Sequence, residues 1–461
     1  PNSQSTGAQQ TIGINPKVVN NTGMSESKIT AIRGSAITFG DDPFGEAKDT
    51  ALQYETDALL IIEDGFIKSF GNAETLMPEL PPGVKVTTYT DSLVLPGFID
   101  CHVHYPQTQI IGAGGEALID WLDKYTFVAE QSFSDDEHSL KTADTFCDEL
   151  IRNGTTSAAV FCTVHAQSVD SFFKSASSRK MRMIAGKVLM DRNAPEGLCD
   201  SVQRGHDLSK QLIDRWHGKD RILYAITPRY AASSTPEQLD IAGTLWRENP
   251  GTYVQSHISE SQKEIEWVNA LFPDCDGYLD TYGRFGLIGP RSIFGHGIHL
   301  TEAEWQRCHE TGTAIAHCPT SNMFLGSGLF DIKKAKDASR PAQIGLATDL
   351  GAGTSFSMFQ TMGAAYQVAR LAGADLSAAQ ALYLATTGAA KALSLEDKIG
   401  TLEPGTEADL AIVDLKSTPI IDYRMQFAQS IEEILFVLMT MADDRAVRAT
   451  YISGDLAYTR D

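Results

Sequence analysis

The run Phe98-Ile99-Asp100 leads directly into Cys101-His102-Val103-His104. A short apolar segment that stops at polar residues, too brief for a helix, reads as a buried strand. Residues i and i+2 of a strand point the same way, so the imidazoles of His102 and His104 can converge on one point at its end. The same arrangement, a short apolar run with a polar end followed by an amphipathic helical stretch, recurs at 157–160, 184–190, 224–227, 253–255, 292–294, 314–316 and 345–347. With the first run that makes eight units across roughly 300 residues, which predicts an α/β fold of the (β/α)8 TIM-like barrel type rather than a doubly wound sheet.

Outward from the barrel the character changes. Residues 29–93 alternate short apolar runs with turn residues, and Asp64-Gly65 between two such runs is a hairpin signal. After Pro404-Gly405 short strands return at 410–413 and 450–452, with Ser453-Gly454-Asp455 as a turn. A β-rich start and a β-rich end predict one small β-sandwich domain built from both chain ends. The expected division is 29–94 for its first part, 95–403 for the barrel and 404–461 for its second part. Residues 1–28, rich in Ser, Asn, Gln and Gly and without the apolar core of a signal peptide, are expected to be a leader or a disordered tail.

Composition narrows the function. The chain has 461 residues, with 38 Lys and Arg against 59 Asp and Glu, a net charge of −21. Such a surface repels phosphate backbones and anionic lipid, which argues against nucleic-acid and membrane partners but not against a small neutral ligand. The longest apolar run, 434–442, falls far short of the roughly 18 residues of a membrane span and reads as a buried helix face. Seven cysteines without a C-x-x-C pair fit reduced thiols in a cytoplasmic protein better than a disulfide framework.

In a barrel of this type the chemistry sits at the C-terminal strand ends. An H-x-H pair alone is a weak signal, since 11 histidines in 461 residues give roughly a quarter of one such pair by chance. Its position right after the first strand strengthens it. His257 follows the fifth strand, His296 the sixth and Asp349 the eighth. Imidazoles and a carboxylate at these ends suit Zn²⁺, with Fe²⁺ as an alternative, and an open position would lower the pKa of a water toward about 7. Glu260, three residues past His257, is a candidate proton shuttle, although a Glu in a first helical turn also serves the helix dipole. His296 reads either as a ligand or as a hydrogen-bonding group beside the attacking water. The remaining histidines have plainer readings: His165 and His317 as core or supporting residues, His299 as a helix-start residue, and His138, His206, His217 and His309 as surface residues. Gly326-Ser327-Gly328 lacks the lysine of a phosphate loop and reads as a flexible loop over the site. Asp191-Arg192-Asn193 reads as a structural turn.

The stretch Pro96-Gly97-Phe98-Ile99-Asp100-Cys101-His102-Val103-His104 resembles the opening signature of the amidohydrolase superfamily. His257, His296 and Asp349 match its later positions in order, and the resemblance covers nearly all of residues 29–461. Within it, several stretches resemble the guanine deaminase family. These are His104-Tyr105-Pro106-Gln107, Trp121-Leu122-Asp123-Lys124-Tyr125-Thr126-Phe127 followed by Glu130, Thr227-Pro228-Arg229-Tyr230, Ser256-His257-Ile258-Ser259-Glu260, and Cys318-Pro319-Thr320-Ser321-Asn322 through Gly328. The resemblance implies hydrolytic deamination of guanine to xanthine and ammonia. It implies one Zn²⁺ per chain on His102, His104, His257 and Asp349, with catalytic roles for Glu260, Asp349 and His296. Gln107, Arg229, Tyr230 and Trp121, together with Glu260, would bind the base. It further implies a homodimer. Val128 departs from the family, where Pro is common, and no lysine lies on the fourth strand to bridge a second metal. Two alternatives are a related purine or triazine aminohydrolase and a non-catalytic scaffold of the same architecture.

Overall fold

The structure is a computed structural model that describes residues 27–114 and 117–460. The expectation for residues 1–26 lies outside the described residues. Residues 27 and 28 already belong to the fold: the Lys28 N–H donates to Asp64 Oδ1 at 2.9 Å and its ammonium pairs with Asp455.

Four strands open the chain, β1 (Ile29–Phe39), β2 (Leu52–Glu63), β3 (Phe66–Asn72) and β4 (Val86–Pro96). Three close it, β14 (Leu410–Asp414), β15 (Val447–Ile452) and β16 (Asp455–Thr459). Together they form one seven-stranded sheet in the order β16-β15-β14-β4-β1-β2-β3, in which only β1 and β4 pair in parallel. The hairpin at Asp64-Gly65 has φ of 52° and 88°, the positive values that a tight two-residue turn requires. The sheet folds over on itself. Gly405 N–H reaches the Ile67 carbonyl at 2.7 Å and Ala408 N–H the Gly65 carbonyl at 2.8 Å. Ile32, Leu60, Ile62, Val94, Leu410 and Ile412 pack in the core between the two layers. The C-terminal segment is not all strand. Pro419–Met425 and Ile431–Met441 are helices, and the second packs on the barrel helix Met358–Leu371 through a Tyr366–Phe436 ring contact at 5.2 Å.

Between these parts lie the barrel strands β5 (Phe98–His104), β6 (Thr155–Phe161), β7 (Arg182–Gly186), β8 (Val188–Leu189), β9 (Ile222–Pro228), β10 (Tyr253–Ile258), β11 (Ser292–His296), β12 (Ala314–His317) and β13 (Gln343–Leu346). The third expected strand, 184–190, is interrupted at Lys187, so that β7 and β8 pair with β9 in succession. All pairs are parallel, in the order β5-β6-β7-β9-β10-β11-β12-β13. This is the expected barrel. Ile99, Cys101, Ala159, Ile184, Ala225, Tyr253 and Ile293 meet inside it, and Ala389, Ala390 and Leu393 from the last barrel helix pack below them. The seam between β5 and β13 is closed by side-chain and loop hydrogen bonds. Asp100 accepts from the Thr348 backbone N–H at 3.1 Å and from its hydroxyl, and Asp349 N–H donates to the His102 carbonyl at 3.0 Å.

One local irregularity places the histidines. Between the pairs Asp100–Ala158 and Val103–Val160, two residues of β5, Cys101 and His102, stand opposite one of β6, Ala159, which is a β-bulge. Before it, Ile99 and Cys101 face the barrel interior. After it, Val103 joins the outer core and His102 and His104 face inward. All seven cysteines are free thiols, and no helix among the described residues is long and apolar enough to cross a membrane.

The barrel and the β domain are joined by a buried ionic cluster. Arg182 Nε and Arg221 Nε donate to Glu407 Oε2 at 2.7 and 3.0 Å, and Arg221 also pairs with Asp409 at 2.6 Å. Burial pushes the Glu407 carboxyl up, but the Arg182 hydrogen bond and the two guanidinium charges pull it further down, below the ordinary carboxylate value. The cluster therefore stabilises the fold above that range and weakens as pH falls through it. Glu407→Gln leaves the buried Arg182 without its counter-charge, while Arg221 keeps Asp409, and is expected to destabilise the fold by about 3–5 kcal/mol. Urea unfolding at neutral pH measures this, and the difference from the unsubstituted protein should shrink toward pH 4.

Candidate active site

The strand ends bring the expected residues together. His104 Nε2 and His257 Nε2 are 3.1 Å apart, and Asp349 Oδ1 is 3.5 Å from the Nε2 atoms of both His102 and His104. His257 Nδ1–H donates to the Arg229 carbonyl at 2.6 Å, which leaves Nε2 as a lone pair facing the centre. His102 Nε2 is buried without a hydrogen-bond partner. Burial, reinforced by the neighbouring charges, drives the imidazoles of His102, His104 and His257 well below the ordinary histidine range, so all three are neutral. Their inward-facing nitrogens gather within hydrogen-bond reach of one another beside a carboxylate. Such nitrogens with a carboxylate oxygen suit a divalent first-row ion, and the His257 bond to a carbonyl is of the kind that metal-ligating histidines make. These residues could hold one ion. Cys318 also lies within ligand distance of His296 and Asp349, but burial pushes its thiol far up and it donates to the Ala316 carbonyl.

His296 adjoins this cluster, with a ring nitrogen within ligand distance of those of His102 and His257. Its Nδ1 is 2.8 Å from Asn322 Oδ1, to which it donates, and its Nε2 faces Glu260 Oε2 at 3.4 Å and Asp349 Oδ2 at 3.7 Å. His296 and Asp349 adopt φ of 75° and 47°, a left-handed backbone uncommon for residues with side chains and frequent where a strand end must re-aim one. Burial raises the Asp349 carboxyl to about 7, opposed by the charge of His296. Burial and then the charge of Glu264 lift Glu260 well above the ordinary range, opposed by the hydrogen bond from Ser327. Glu260 can therefore carry a proton in neutral solution.

Gln107 lies on the turn after β5, Arg229 and Tyr230 directly after β9, and Trp121 at the end of the helix Leu118–Trp121. All four line one cavity together with His104, His257, Glu260, His296 and Asp349. The other walls are apolar, from Leu118, Ile119, Leu122, Leu325 and Ala352, joined by Glu264. Trp121 is pinned by its Nε1–H, which donates to the Ala113 carbonyl at 2.6 Å.

Several residues fall elsewhere than expected. His299 precedes the helix Glu302–Thr311 by a turn, and its ring bonds the Ser327 carbonyl at 2.9 Å. The loop 326–328 is thereby tied down over the site, with Ser327 Oγ donating to Glu260 at 3.3 Å. His217, the C-cap of the helix Val202–Trp216, is half-buried and accepts the Tyr224 N–H at 3.1 Å, so it ties that helix to β9 rather than lying on the surface. His317 stacks on Phe330 at 4.3 Å behind the site, and Asp191 caps Thr235 at 2.8 Å, both as structural residues. Sequence reasoning assigned no role to Glu130, Glu264 and Asn322, which buttress Arg229, Glu260 and His296 respectively. On a helix or in a loop such residues look like ordinary polar positions.

Comparison with known proteins agrees with this geometry. The model of the amidohydrolase family matches residues 93–457. Guanine deaminase of Escherichia coli (strain K12) is 47% identical over 439 residues, covering 95% of this chain and 99% of that one. Among solved structures, E. coli guanine deaminase superposes with a TM-score of 0.90 at 46% identity, covering 95% of this chain and 100% of that one. Guanine deaminase from Bradyrhizobium japonicum gives 0.89 at 34% identity, covering 94% and 100%.

Elemental analysis of the purified protein tests the cluster. One divalent first-row ion per chain is expected, lost in His257→Ala and in His102→Ala but retained in His317→Ala. Full metal content in the first two variants would rule out these ligands.

Proposed function

We infer the activity from the premise that the chain belongs to the amidohydrolase family and, within it, to the guanine deaminases. The reaction is hydrolysis of guanine at its 2-amino carbon, with water as co-substrate and xanthine and ammonia as products. One observation carries this reading. A single buried cavity holds an amide and a guanidinium that can pair with a flat base, a carboxyl able to carry a proton, and a cluster of neutral imidazoles with a carboxylate.

His102, His104, His257 and Asp349 would hold the ion, which we propose to be one Zn²⁺ per chain, with Fe²⁺ as the alternative. When bound, such an ion supplies Lewis acidity that makes water nucleophilic at neutral pH. The chain's own groups do the rest. Asp349 Oδ2, on the side of His296, accepts the proton of the attacking water. Glu260 Oε2 delivers a proton to the ring nitrogen beside the attacked carbon. The proton held by Asp349 then passes to the amino group, the C–N bond breaks to release ammonia, and the proton of the new hydroxyl returns to Glu260 as the carbonyl of xanthine forms. His296, held by Asn322, lies between the two carboxylates and fixes their relative positions. Gln107 and Arg229 offer hydrogen bonds to the carbonyl and ring nitrogens of the base, while Trp121 and Tyr230 cover its faces. The developing tetrahedral centre is stabilised by groups already in place, which is where catalytic stabilisation is most effective.

The finer parts of the proposal are a cytoplasmic location, a role in purine catabolism and a homodimer. Seven free thiols fit a reducing compartment. The exposed side chains of Ile420 and Tyr423 on the helix Pro419–Met425, and of Phe427 just after it, offer an apolar face to a second copy.

Ammonia release from guanine, adenine, cytosine, 8-oxoguanine and triazine amines tests the substrate, and guanine is expected to lead the panel. Turnover of another member with guanine inert would overturn the assignment. Glu260→Gln is expected to lower kcat by roughly 10²–10⁴-fold with the fold intact. Arg229→Ala should reduce kcat/KM for guanine, and unchanged kinetics would remove Arg229 from the pocket.

A further inference from the structure

Glu130 has no place in the chemistry above, yet it is fully buried on the helix Phe127–Gln131. Both of its oxygens accept from Arg229 Nη1 at 2.7 Å. The same guanidinium lies over Phe127, one turn earlier on that helix, 5.6 Å from the ring centroid. The side-chain amide of Gln107 faces the same carboxylate. A carboxylate only accepts, so it takes the amino end of the Gln107 amide and turns Oε1 elsewhere. That oxygen is buried without a partner. Gly351, with φ of 120°, closes the other side: a Cβ there would stand 2.2 Å from Oε1. Gln107 is thus held between a carboxylate that fixes its donor end and a glycine that leaves just enough room for its acceptor end.

We propose that Glu130 is a positioning residue, which from the helix Phe127–Gln131 orients Arg229 and Gln107 and balances the Arg229 charge, so that these two read an uncharged base. The inference rests on the proposed function, because Arg229 and Gln107 matter here as base-contacting groups. They come from separate barrel strands, after β9 and β5, and Glu130 bonds the first and faces the second. A buried guanidinium without its carboxylate would re-orient toward any other acceptor, and the free amide could rotate. The reacting centre, by contrast, is built from other residues.

Steady-state kinetics of Glu130→Gln on guanine test this. The expected result is a rise in KM of about tenfold or more with kcat nearly constant, since uniform binding is lost rather than transition-state contacts. Metal content should be unchanged. In the Arg229→Ala background the same substitution should add little, because both changes remove one arrangement. An unchanged KM, a fall in kcat alone, or full additivity of the two substitutions would overturn the inference. If Glu130→Gln does not fold, Glu130→Asp, which withdraws the charge by one methylene, is read by the same criteria. A wild-type protein inactive on guanine sinks the proposed function and this inference with it. An active wild type with an indifferent variant sinks the inference alone.

Discussion

A closed barrel needs its first and last strands joined, and here that junction depends on a single buried carboxylate. Asp100 accepts from the backbone N–H and the hydroxyl of Thr348 and from the backbone N–H of His102. Burial raises its carboxyl to about 7, and those hydrogen bonds pull it back. One group therefore ties the bulge of β5 to the segment after β13, on the two sides that carry His102 and Asp349. The Asp349 N–H to the His102 carbonyl completes the tie. The spacing between imidazole and carboxylate is set by this junction, and through it the whole mouth of the barrel is brought into register.

Charge is handled in the same local way. The chain carries a net charge of −21, and its buried basic side chains are compensated pair by pair. Arg229 meets Glu130, Lys187 meets Asp200, and Arg182 and Arg221 meet Glu407 and Asp409. Each pair has a positional use. Lys187 and Asp200 hold the loop after β8, the arginine cluster seats the barrel on the β domain, and Arg229 with Glu130 shapes the cavity. The cost of burying such ions is offset only where geometry is good, so each pair fixes backbone as well as charge.

Much of the fold was legible in the sequence because it rests on local periodicity. Short apolar runs with polar ends gave away eight barrel strands, and Asp64-Gly65 announced its turn through the backbone angles such residues tolerate. His102, His104, His257, His296 and Asp349 were found because strand ends are marked by the abrupt change from apolar to polar. Glu130 and Asn322 were not, because a residue that acts only by contacting another carries no periodic signal. His217 and His299 were misplaced for the same reason: their partners, Tyr224 and Ser327, are distant in the chain or across a turn.

By itself the sequence determined the strand–helix alternation, the pairing of both chain ends in one β domain, and the chemical types at the strand ends. These follow from side-chain size, polarity and turn preference, which act over a few residues. Only the tertiary structure decided which way the first two histidines point. Strict alternation from Ile99 and Cys101 would have turned Val103 inward; the bulge against β6 reverses the phase and presents His102 and His104 instead. A bulge is a relation between two strands, and no single strand's sequence contains it.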